Sequence, residues 1–273
     1  MTVGSDPHGV GERGGRVLWQ AEAIWEAISP LWPAFSVEIL PEIDSTNTEL
    51  MRRARAGQHD PVLLVAERQT AGRGRLGRDW KSDVQGEGGT LTFSLGVPLA
   101  PADWSGLSLA VGLAVVNSLH PDLRLKWPND VWLEQRKLAG ILIETASVGD
   151  TRYAVIGIGI NIAPRDATDL RTPPAALQEL WPEATAPDVL ARVALPLVQA
   201  VQQFVVQGFA PLRQAFHARD LLYGQAVVCS DGVTGTARGV DASGALLVHT
   251  DQGLLKINSA EVSVRPAPPA TVP

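Results

Sequence analysis

A segment rich in arginine and glycine carries the most concentrated positive charge in the sequence. Between residues 68 and 81 it has five cations and one acidic residue, a net charge of +4 in a chain whose formal net charge is -6. The cations are Arg68, Arg73, Arg75, Arg78 and Lys81. Positive charge on a flexible backbone suits an enclosed anion such as a polyphosphate. The alternative is a solvated loop without a role.

The glycines of this segment also match the spacing of a dinucleotide-binding loop, at Gly72, Gly74 and Gly77. Such a loop needs a helix directly after the glycines and an acidic residue about 20 positions further on. Here the chain continues with polar residues and three more glycines by Gly89, without an apolar helical pattern. The sequence therefore argues against a dinucleotide fold.

Two of the four lysines, Lys126 and Lys137, fall on neighbouring strands of a predicted hairpin. Pro128, Asn129 and Asp130 supply the turn that follows the first strand. An ammonium group held there could neutralise a phosphate or a developing oxyanion. Ordinary surface charge on a hairpin is the alternative interpretation.

A later strand pattern, residues 155–161, alternates isoleucine with glycine. Because side chains alternate along a strand, Gly157, Gly159 and Asn161 share one face. A bare face of this kind lets a flat ligand touch backbone, or lets a helix pack closely against the sheet. Both interpretations stay open from the strand alone.

The segment Ser45-Thr46-Asn47-Thr48-Glu49 precedes a predicted helix. Thr46 and Glu49 have the spacing of a capping box, in which each side chain satisfies an amide at the helix start. The same amides could face a small polar ligand. The two interpretations are compatible.

The elements that position these residues follow from apolar periodicity. Predicted helices are 17–29, 48–56, 107–119 and 186–220. Predicted strands are 37–43, 61–67, 91–97, 123–127, 131–133, 138–145 and 153–162, with 68–90 as a long loop. Helices mixed with hairpins around one sheet indicate an α+β domain. From residue 221, short strands between Gly-containing turns predict a small β-barrel.

Composition narrows the class of protein. With 45% hydrophobic residues the chain is not disordered, and its net charge of -6 argues against a protein that coats nucleic acid or an anionic membrane. The one cysteine, Cys229, allows no intramolecular disulfide and fits a reducing compartment. Residues 1–16 have no apolar signal-peptide region. We expect a cytoplasmic protein.

Taken together, the motifs resemble those of biotin–protein ligases, with order and spacing in agreement from about Ile39 to Asn161. The matching segments are Asp44-Ser45-Thr46-Asn47, residues 69–78, Lys126-Trp127-Pro128-Asn129-Asp130, Lys137-Leu138-Ala139-Gly140-Ile141 and Gly157-Ile158-Gly159-Ile160-Asn161. The resemblance implies a mixed or antiparallel sheet flanked by helices, the class II synthetase-like biotin/lipoate ligase fold, with a carboxyl-terminal SH3-like barrel. The predicted units are a flexible tail (1–16), a catalytic domain (17–220), the barrel (221–266) and a tail (267–273).

The resemblance also implies two half-reactions. ATP and Mg²⁺ activate biotin as biotinyl-5′-adenylate, and a lysine of a biotin carboxyl carrier protein domain then takes the biotinyl group. The implied biotin-binding residues are Ser45, Thr46, Asn47, Gln69, Gly72, Arg73, Arg75, Lys137, Gly140 and Gly157. The implied ATP-binding residues are Arg75, Arg78, Trp80, Lys126, Asn129, Asp130 and Asn161, with Asp130 for the metal. Lys137, Arg75 and Arg78 are the implied catalytic residues.

The sequence departs from the family pattern in two places. Regulatory members carry an amino-terminal winged helix-turn-helix domain, whereas here about 35 residues with one clear helix precede the motifs. We therefore expect a ligase of the monofunctional type without operator binding, either monomer or homodimer. Leu76 occupies a loop position that is often basic in relatives, and residues 82–89 are more acidic than the family pattern leads us to expect. Both differences affect the electrostatics of the loop.

Three other functions remain to be separated from this one. A lipoate– or octanoate–protein ligase shares the fold and the adenylate chemistry. A nucleic-acid-binding protein could use the Arg-Gly loop and the barrel, but needs a wider basic surface. A barrel adaptor with an inactive catalytic domain is disfavoured by the complete set of cations.

Overall fold

A seven-stranded mixed sheet is the frame of the larger part of the structure. Its strands are β1 (Ser36–Ile43), β2 (Val62–Gln69), β3 (Thr90–Leu99), β4 (Arg124–Lys126), β5 (Asp130–Leu133), β6 (Arg136–Val148) and β7 (Thr151–Asn161). They lie in the order β1-β2-β3-β7-β6-β5-β4. The pair β1–β2 is parallel and the other neighbouring pairs are antiparallel. Of the predicted alternatives, a mixed or an antiparallel sheet, the mixed sheet is confirmed.

The computed structural model describes residues 18–82, 88–148, 151–165, 174–258 and 264–266. The two predicted tails, residues 1–16 and 267–273, lie outside this part of the chain. So do residues 83–87 of the acidic segment and residues 261–263, which belong to a strand that the sequence predicts over 261–264. The predicted domain boundaries stay predictions.

The helices are α1 (Ala21–Ile28), α2 (Thr46–Arg55), α3 (Leu107–Leu119), α4 (Ala186–Gln207) and α5 (Arg213–Arg219). The sequence predicts one helical stretch over 186–220, and this prediction is wrong at Gly208. That glycine has a φ of +66°, a left-handed backbone conformation that it adopts without a side-chain clash. It ends α4, and α5 starts five residues later.

The main core lies between one face of the sheet and the helices α3 and α4, which pack against each other. Ile156, Ile158 and Ile160 of β7 belong to this core, as the alternation of the strand predicts. By length and composition α4 could cross a membrane, but 44% of its apolar window, Val193 and Leu197 included, is buried in the structure. The opposite face of the sheet carries α2 and is the side on which the glycines of β7 lie.

The carboxyl-terminal strands form a separate antiparallel sheet. They are β8 (Ala226–Cys229), β9 (Thr234–Val240), β10 (Leu246–Thr250), β11 (Gly253–Ile257) and β12 (Val264–Pro266), in the order β11-β10-β9-β8-β12. This sheet is consistent with an SH3-like domain. The sequence predicts a barrel, but β11 and β12 are the two edges of the sheet, so the described strands do not close one.

Hydrogen bonds between described residues attach this sheet and the segment before it to the rest of the chain. Leu221 N donates to Leu125 O of β4 at 2.9 Å. Val240 N donates to His217 Nε2 of α5 at 3.1 Å, and Trp127 Nε1 donates to Gly244 O at 3.0 Å. The carboxyl-terminal sheet is therefore fixed directly to the strand that ends in Lys126.

Asp220 is a largely buried carboxylate at this junction. Its Oδ1 accepts a hydrogen bond from Leu222 N at 2.9 Å, whereas its Oδ2 has no hydrogen-bond partner among the described residues. Burial raises the pKa of Asp220 to about 6, although backbone hydrogen bonds oppose the shift. The charged form is thus disfavoured in the folded protein.

Replacing Asp220 with asparagine should remove a contribution to the free energy of unfolding that decreases as the pH rises. A carboxyl group with a raised folded-state pKa contributes stability that is complete below its unfolded pKa, about 4, and is lost as pH rises through about 6. A shift of about two units corresponds to at most about 3 kcal/mol. Urea unfolding at about pH 4 and pH 7.5 measures this contribution. The exposed Asp251→Asn is the control, and equal pH dependence of Asp220→Asn and wild type would contradict the expectation.

Candidate active site

Two adjoining cavities lie between α2, the Arg-Gly loop (residues 70–82) and strands β3 and β5–β7. The first cavity is lined by Ser45, Thr46, Asn47, Gln69, Arg73, Thr92, Phe93, Gly140, Ile141, Leu142, Gly157, Ile158 and Gly159. The second cavity is lined by Leu76, Arg78, Asp79, Lys126, Trp127, Pro128, Asp130, Val264 and Arg265. The wall between them is formed by residues that line both, namely Gly74, Arg75, Trp80, Asn129 and Lys137. A ligand in one cavity would therefore meet a ligand in the other at this shared wall.

Most residues predicted to bind biotin line the first cavity, and most of those predicted to bind ATP line the second cavity or the shared wall. Ser45, Thr46, Asn47, Gln69, Arg73, Gly140 and Gly157, all predicted to bind biotin, line the first cavity. Arg78, Lys126 and Asp130, all predicted to bind ATP, line the second. Arg75 and Lys137, predicted to act on both substrates, stand in the shared wall with Trp80 and Asn129.

Two predicted residues line neither cavity. Gly72 accepts a hydrogen bond from Trp80 N at 2.9 Å, and a Cβ at this position would lie 2.4 Å from Trp80 O. Gly72 is thus needed where the loop folds back on itself. Asn161 is buried, and its Nδ2 donates to Lys137 O at 3.3 Å. It reaches the site through the backbone of Lys137, and its predicted place beside adenine stays a prediction.

The start of α2 provides a polar end to the first cavity. Ser45 is the N-cap, because its hydroxyl accepts a hydrogen bond from Thr48 N at 3.4 Å. The predicted capping box from Thr46 to Glu49 is therefore wrong, since Thr46 is already helical and its hydroxyl donates to Gln69 Oε1 at 3.1 Å. Thr46 N also donates to Gln69 Oε1, at 2.8 Å. These bonds fix the side chain of Gln69 against the cavity.

The glycine face of β7 is covered by the chain itself. A Cβ on Gly157 would lie 2.0 Å from Asn47 Oδ1, and a Cβ on Gly159 would lie 2.3 Å from the indole of Trp80. Asn47 belongs to α2, so its close approach agrees with the interpretation that a helix packs against the glycine face of this strand. The indole of Trp80 stacks on the Gly159 side, so the glycines admit both a helix and an aromatic ring.

Glu144 is a residue that the sequence analysis missed. Its carboxylate accepts hydrogen bonds from Arg73 Nη2 at 2.9 and 3.1 Å and from Asn47 Nδ2 at 3.0 Å. It thus ties the Arg-Gly loop to α2 beside the first cavity. Strand alternation was the available signal, because Gly140, Leu142 and Glu144 follow one another at every second position of β6.

The second cavity concentrates positive charge. Five cations and two carboxylates line it, a net charge of +3; the cations are Arg75, Arg78, Lys126, Lys137 and Arg265. Burial lowers the pKa of Lys126, an effect that Asp130 opposes and the neighbouring cations reinforce. Burial likewise lowers the pKa of Arg75. A polyanion in this cavity would relieve the repulsion between these groups.

The second cavity offers a metal ion few protein ligands, because its carboxylates are Asp79 and Asp130. Asp130 Oδ1 lies 2.6 Å from Lys137 Nζ, and no group of three or more His, Cys, Asp or Glu side chains suited to a metal occurs among the described residues. Mg²⁺ in nucleotide sites is typically held by one or two carboxylates together with substrate phosphates. The residues present therefore fit a magnesium ion that arrives with a polyphosphate, and Asp130 as its protein ligand stays a prediction.

Comparisons with known proteins match both the seven-stranded sheet and the carboxyl-terminal sheet. The Biotin/lipoate A/B protein ligase family matches residues 39–161, and the Biotin protein ligase C terminal domain matches residues 224–265. The bifunctional ligase/repressor BirA of Escherichia coli (strain K12) is 36% identical over 244 residues, which cover 85% of this chain and 75% of that protein. The chain belongs to the biotin protein ligase family. The family resemblance inferred from the sequence is confirmed.

Two further biotin protein ligases are similar to the chain. The biotin--[acetyl-CoA-carboxylase] ligase of Paracoccus denitrificans is 36% identical, over 82% of this chain and 98% of that protein. The solved structure of the biotin protein ligase from Aquifex aeolicus in complex with biotin and ATP has a TM-score of 0.70 at 30% identity. It covers 85% of this chain and 99% of that structure. The chain therefore shares the fold of that ligase over most of its length.

In a biotin protein ligase with this geometry, replacing Glu144 with glutamine should weaken the retention of biotin. The amide keeps the size of the side chain but loses the ion pair with Arg73, so the Arg-Gly loop is held less firmly over the first cavity. Hydrogen bonds to charged groups contribute about 1.5–3 kcal/mol, and solvent exposure of this ion pair reduces that contribution. We therefore expect about a three- to tenfold higher Kd for biotin. Calorimetric titration with biotin measures it. Glu134→Gln, at an exposed turn, is the control; an unchanged Kd for Glu144→Gln would refute the role.

Proposed function

We propose that this chain activates biotin with ATP and transfers the biotinyl group to a lysine of a biotin carboxyl carrier protein domain. The observation that carries the proposal is the wall shared by the two cavities. Biotin in the first cavity and ATP in the second would meet at Arg75, Asn129 and Lys137. The two anionic reactants repel each other unless cations stand between them.

The first half-reaction joins the two substrates without a protein nucleophile. A carboxylate oxygen of biotin attacks the α-phosphorus of ATP, the bond to the bridging oxygen breaks, and pyrophosphate leaves with its electron pair. Lys137, paired with Asp130 at 2.6 Å, is positioned to hold the carboxylate and the phosphoryl oxygens together. Mg²⁺ would neutralise the polyphosphate, with Asp130 as its ligand.

The second half-reaction uses a nucleophile from the acceptor. The ε-amino group of the acceptor lysine, after losing its proton, attacks the acyl carbon of the mixed anhydride, and AMP leaves. Until then the adenylate must be kept from water, because water is a competing nucleophile. Arg75 connects the Arg-Gly loop to the turn that follows β4 by donating to Asn129 Oδ1 at 3.3 Å, a contact that would hold the loop over the shared wall.

The carboxyl-terminal sheet contributes to the nucleotide side of the site. Val264 and Arg265 of β12 line the second cavity. Arg265 is therefore a further cation for the polyphosphate of ATP, which the sequence analysis did not single out. Its guanidinium geometry suits phosphate oxygens better than a lysine would.

Pyrophosphate release from ATP and Mg²⁺, measured with biotin, with lipoate and with neither, tests the proposal. Release that depends on biotin is the expected result, followed by transfer to a purified carboxyl carrier protein domain. Release with lipoate alone would keep the fold and replace the substrate. No release with either would refute the proposal, and a salt-dependent gel shift would then test nucleic acid as the partner.

The remaining expectations follow from the proposed reaction. Its substrate ATP and the buried single cysteine, Cys229, are consistent with a reducing cytoplasm. The absence of operator binding stays a prediction, as does the choice between monomer and homodimer. Analytical ultracentrifugation with and without biotin and ATP would decide the oligomeric state.

A further inference from the structure

Trp127 is the second residue of the segment Lys126–Asp130 and lines the second cavity, but neither the resemblance nor the proposed reaction assigns it a role. Its side chain is 1% exposed, and its Nε1 donates to Gly244 O at 3.0 Å. Gly244 lies in the turn between β9 and β10 of the carboxyl-terminal sheet. The segment that lines the second cavity is thereby bonded directly to the other sheet.

The turn that presents Gly244 is held in one shape by Asp241. Its carboxylate accepts hydrogen bonds from Ser243 N at 2.9 Å and Ala245 N at 3.0 Å, and it pairs with Lys256. Burial alone would raise the pKa of Asp241, but these partners lower it to about 2. The carboxylate is therefore ionised at neutral pH and keeps the carbonyl of Gly244 fixed.

The same turn rests on the start of α3. Gly244 has a φ of +82°, and a Cβ there would lie 2.9 Å from Gly106 Cα. This close approach leaves the turn little freedom to shift sideways. The indole of Trp127 therefore donates to a carbonyl whose position is fixed by Asp241 within the turn and by the contact of the turn with α3.

The carboxyl-terminal sheet also carries Arg265 to the second cavity. Arg265 lies on β12, which pairs with β8, and β8 pairs with β9. The Trp127–Gly244 bond and Arg265 are therefore connected through one continuous ladder of backbone hydrogen bonds. A small rotation of this sheet would move Arg265 relative to Lys126 on the opposite wall.

We propose that Trp127 is a positioning residue that fixes the carboxyl-terminal sheet so that Arg265 reaches the nucleotide phosphates. The inference rests on the proposed function, because it takes the second cavity as the nucleotide site. It accounts for a donor-bearing aromatic at a buried position that phenylalanine could fill without a hydrogen bond. It also gives the second sheet a definite role in binding ATP.

The test is the Trp127→Phe variant, which keeps the aromatic volume and removes the donor. Loss of one buried hydrogen bond should raise the KM for magnesium ATP about three- to tenfold. The kcat at saturating ATP and the Kd for biotin should change less than about twofold, since Trp127 does not line the first cavity. Equal changes in the ATP and biotin constants would overturn the inference.

A double-mutant cycle separates positioning from simple support of the core. If Trp127 acts through Arg265, Trp127→Phe should change the KM for ATP by less than about twofold in a protein that already carries Arg265→Ala. If the effects of the two substitutions on the KM for ATP were additive, Trp127 would not act through Arg265. Asp241→Asn, which weakens the same turn, should also raise the KM for ATP in a protein that retains Arg265. This second variant tests the inference if Trp127→Phe does not fold.

Trp25→Phe is the matched control. Trp25 Nε1 also donates to a backbone carbonyl, Phe35 O at 2.9 Å, but α1 lies away from both cavities. Its replacement should leave the KM for ATP unchanged. Wild-type protein without biotin-dependent pyrophosphate release would refute the proposed function, whereas an active wild type with an unchanged KM in Trp127→Phe would refute only the positioning role.

Discussion

Replacing Lys137 with alanine should reduce biotin-dependent pyrophosphate release about a hundred- to a thousandfold. Lys137 lines both cavities, and its ammonium lies 2.6 Å from Asp130 in the wall where the two substrates would meet. Removal of a single group that stabilises developing negative charge typically costs about 2.7–4 kcal/mol in the transition state. Because biotin is held mainly by the other residues of the first cavity, its Kd should change much less than kcat.

Initial rates of pyrophosphate release at saturating biotin and ATP measure this effect. Arg136→Gln is a matched control, since Arg136 is the neighbouring cation on β6 and also forms an ion pair, with Glu179. It lines neither cavity, so its loss should leave the rate within about twofold. A Lys137→Ala variant that forms adenylate at the wild-type rate would remove Lys137 from the catalytic residues.

Replacing Arg75 with glycine should release the adenylate before the acceptor arrives and cause biotinylation of unrelated proteins. Arg75 lines both cavities and donates to Asn129 Oδ1, so it connects the Arg-Gly loop with the turn that follows β4. A hydrogen bond from a charged group contributes about 1.5–3 kcal/mol, which corresponds to roughly ten- to a hundredfold faster loss of the intermediate. The KM for ATP should rise as well, because a phosphate-binding cation is lost.

Two measurements check this expectation. Dissociation of labelled adenylate from the protein gives the rate directly, and biotin incorporated into serum albumin reports non-specific transfer. Arg68→Gly is the control, because Arg68 pairs with Glu42 of β1 at 2.6 Å and lines neither cavity. Retention of adenylate at the wild-type rate in Arg75→Gly, without labelling of albumin, would show that the loop does not need this arginine for closure.

The residues that carry chemistry were accessible to sequence reasoning because their types are unusual for their positions. Five cations in a loop of an acidic chain and two of four lysines on one hairpin have few structural explanations. Most of them lie in the second cavity or its shared wall, and the polar start of α2 faces the first. The strands followed from apolar alternation, which is strongest where one face of a sheet is buried.

Other features depend on contacts between segments distant in the chain. Glu144 binds Arg73, 71 positions away, and Trp127 binds Gly244, 117 positions away, so no local pattern could pair them. The covering of Gly159 by Trp80 is of the same kind, because a glycine shows only that something approaches closely. The end of α4 at Gly208 was also missed, since the apolar pattern continues on both sides of it.

The sequence by itself determined the α+β class and, through the resemblance of its motifs, the family, because motifs and apolar patterns lie on continuous segments. Only the tertiary structure decided that two cavities share a wall that includes Arg75, Asn129 and Lys137, and that Arg265 of the second sheet lines the second of them. The physical reason is that these arrangements depend on how the two sheets pack. That packing rests on single contacts such as Trp127–Gly244, whose partners are brought together only by the folded chain.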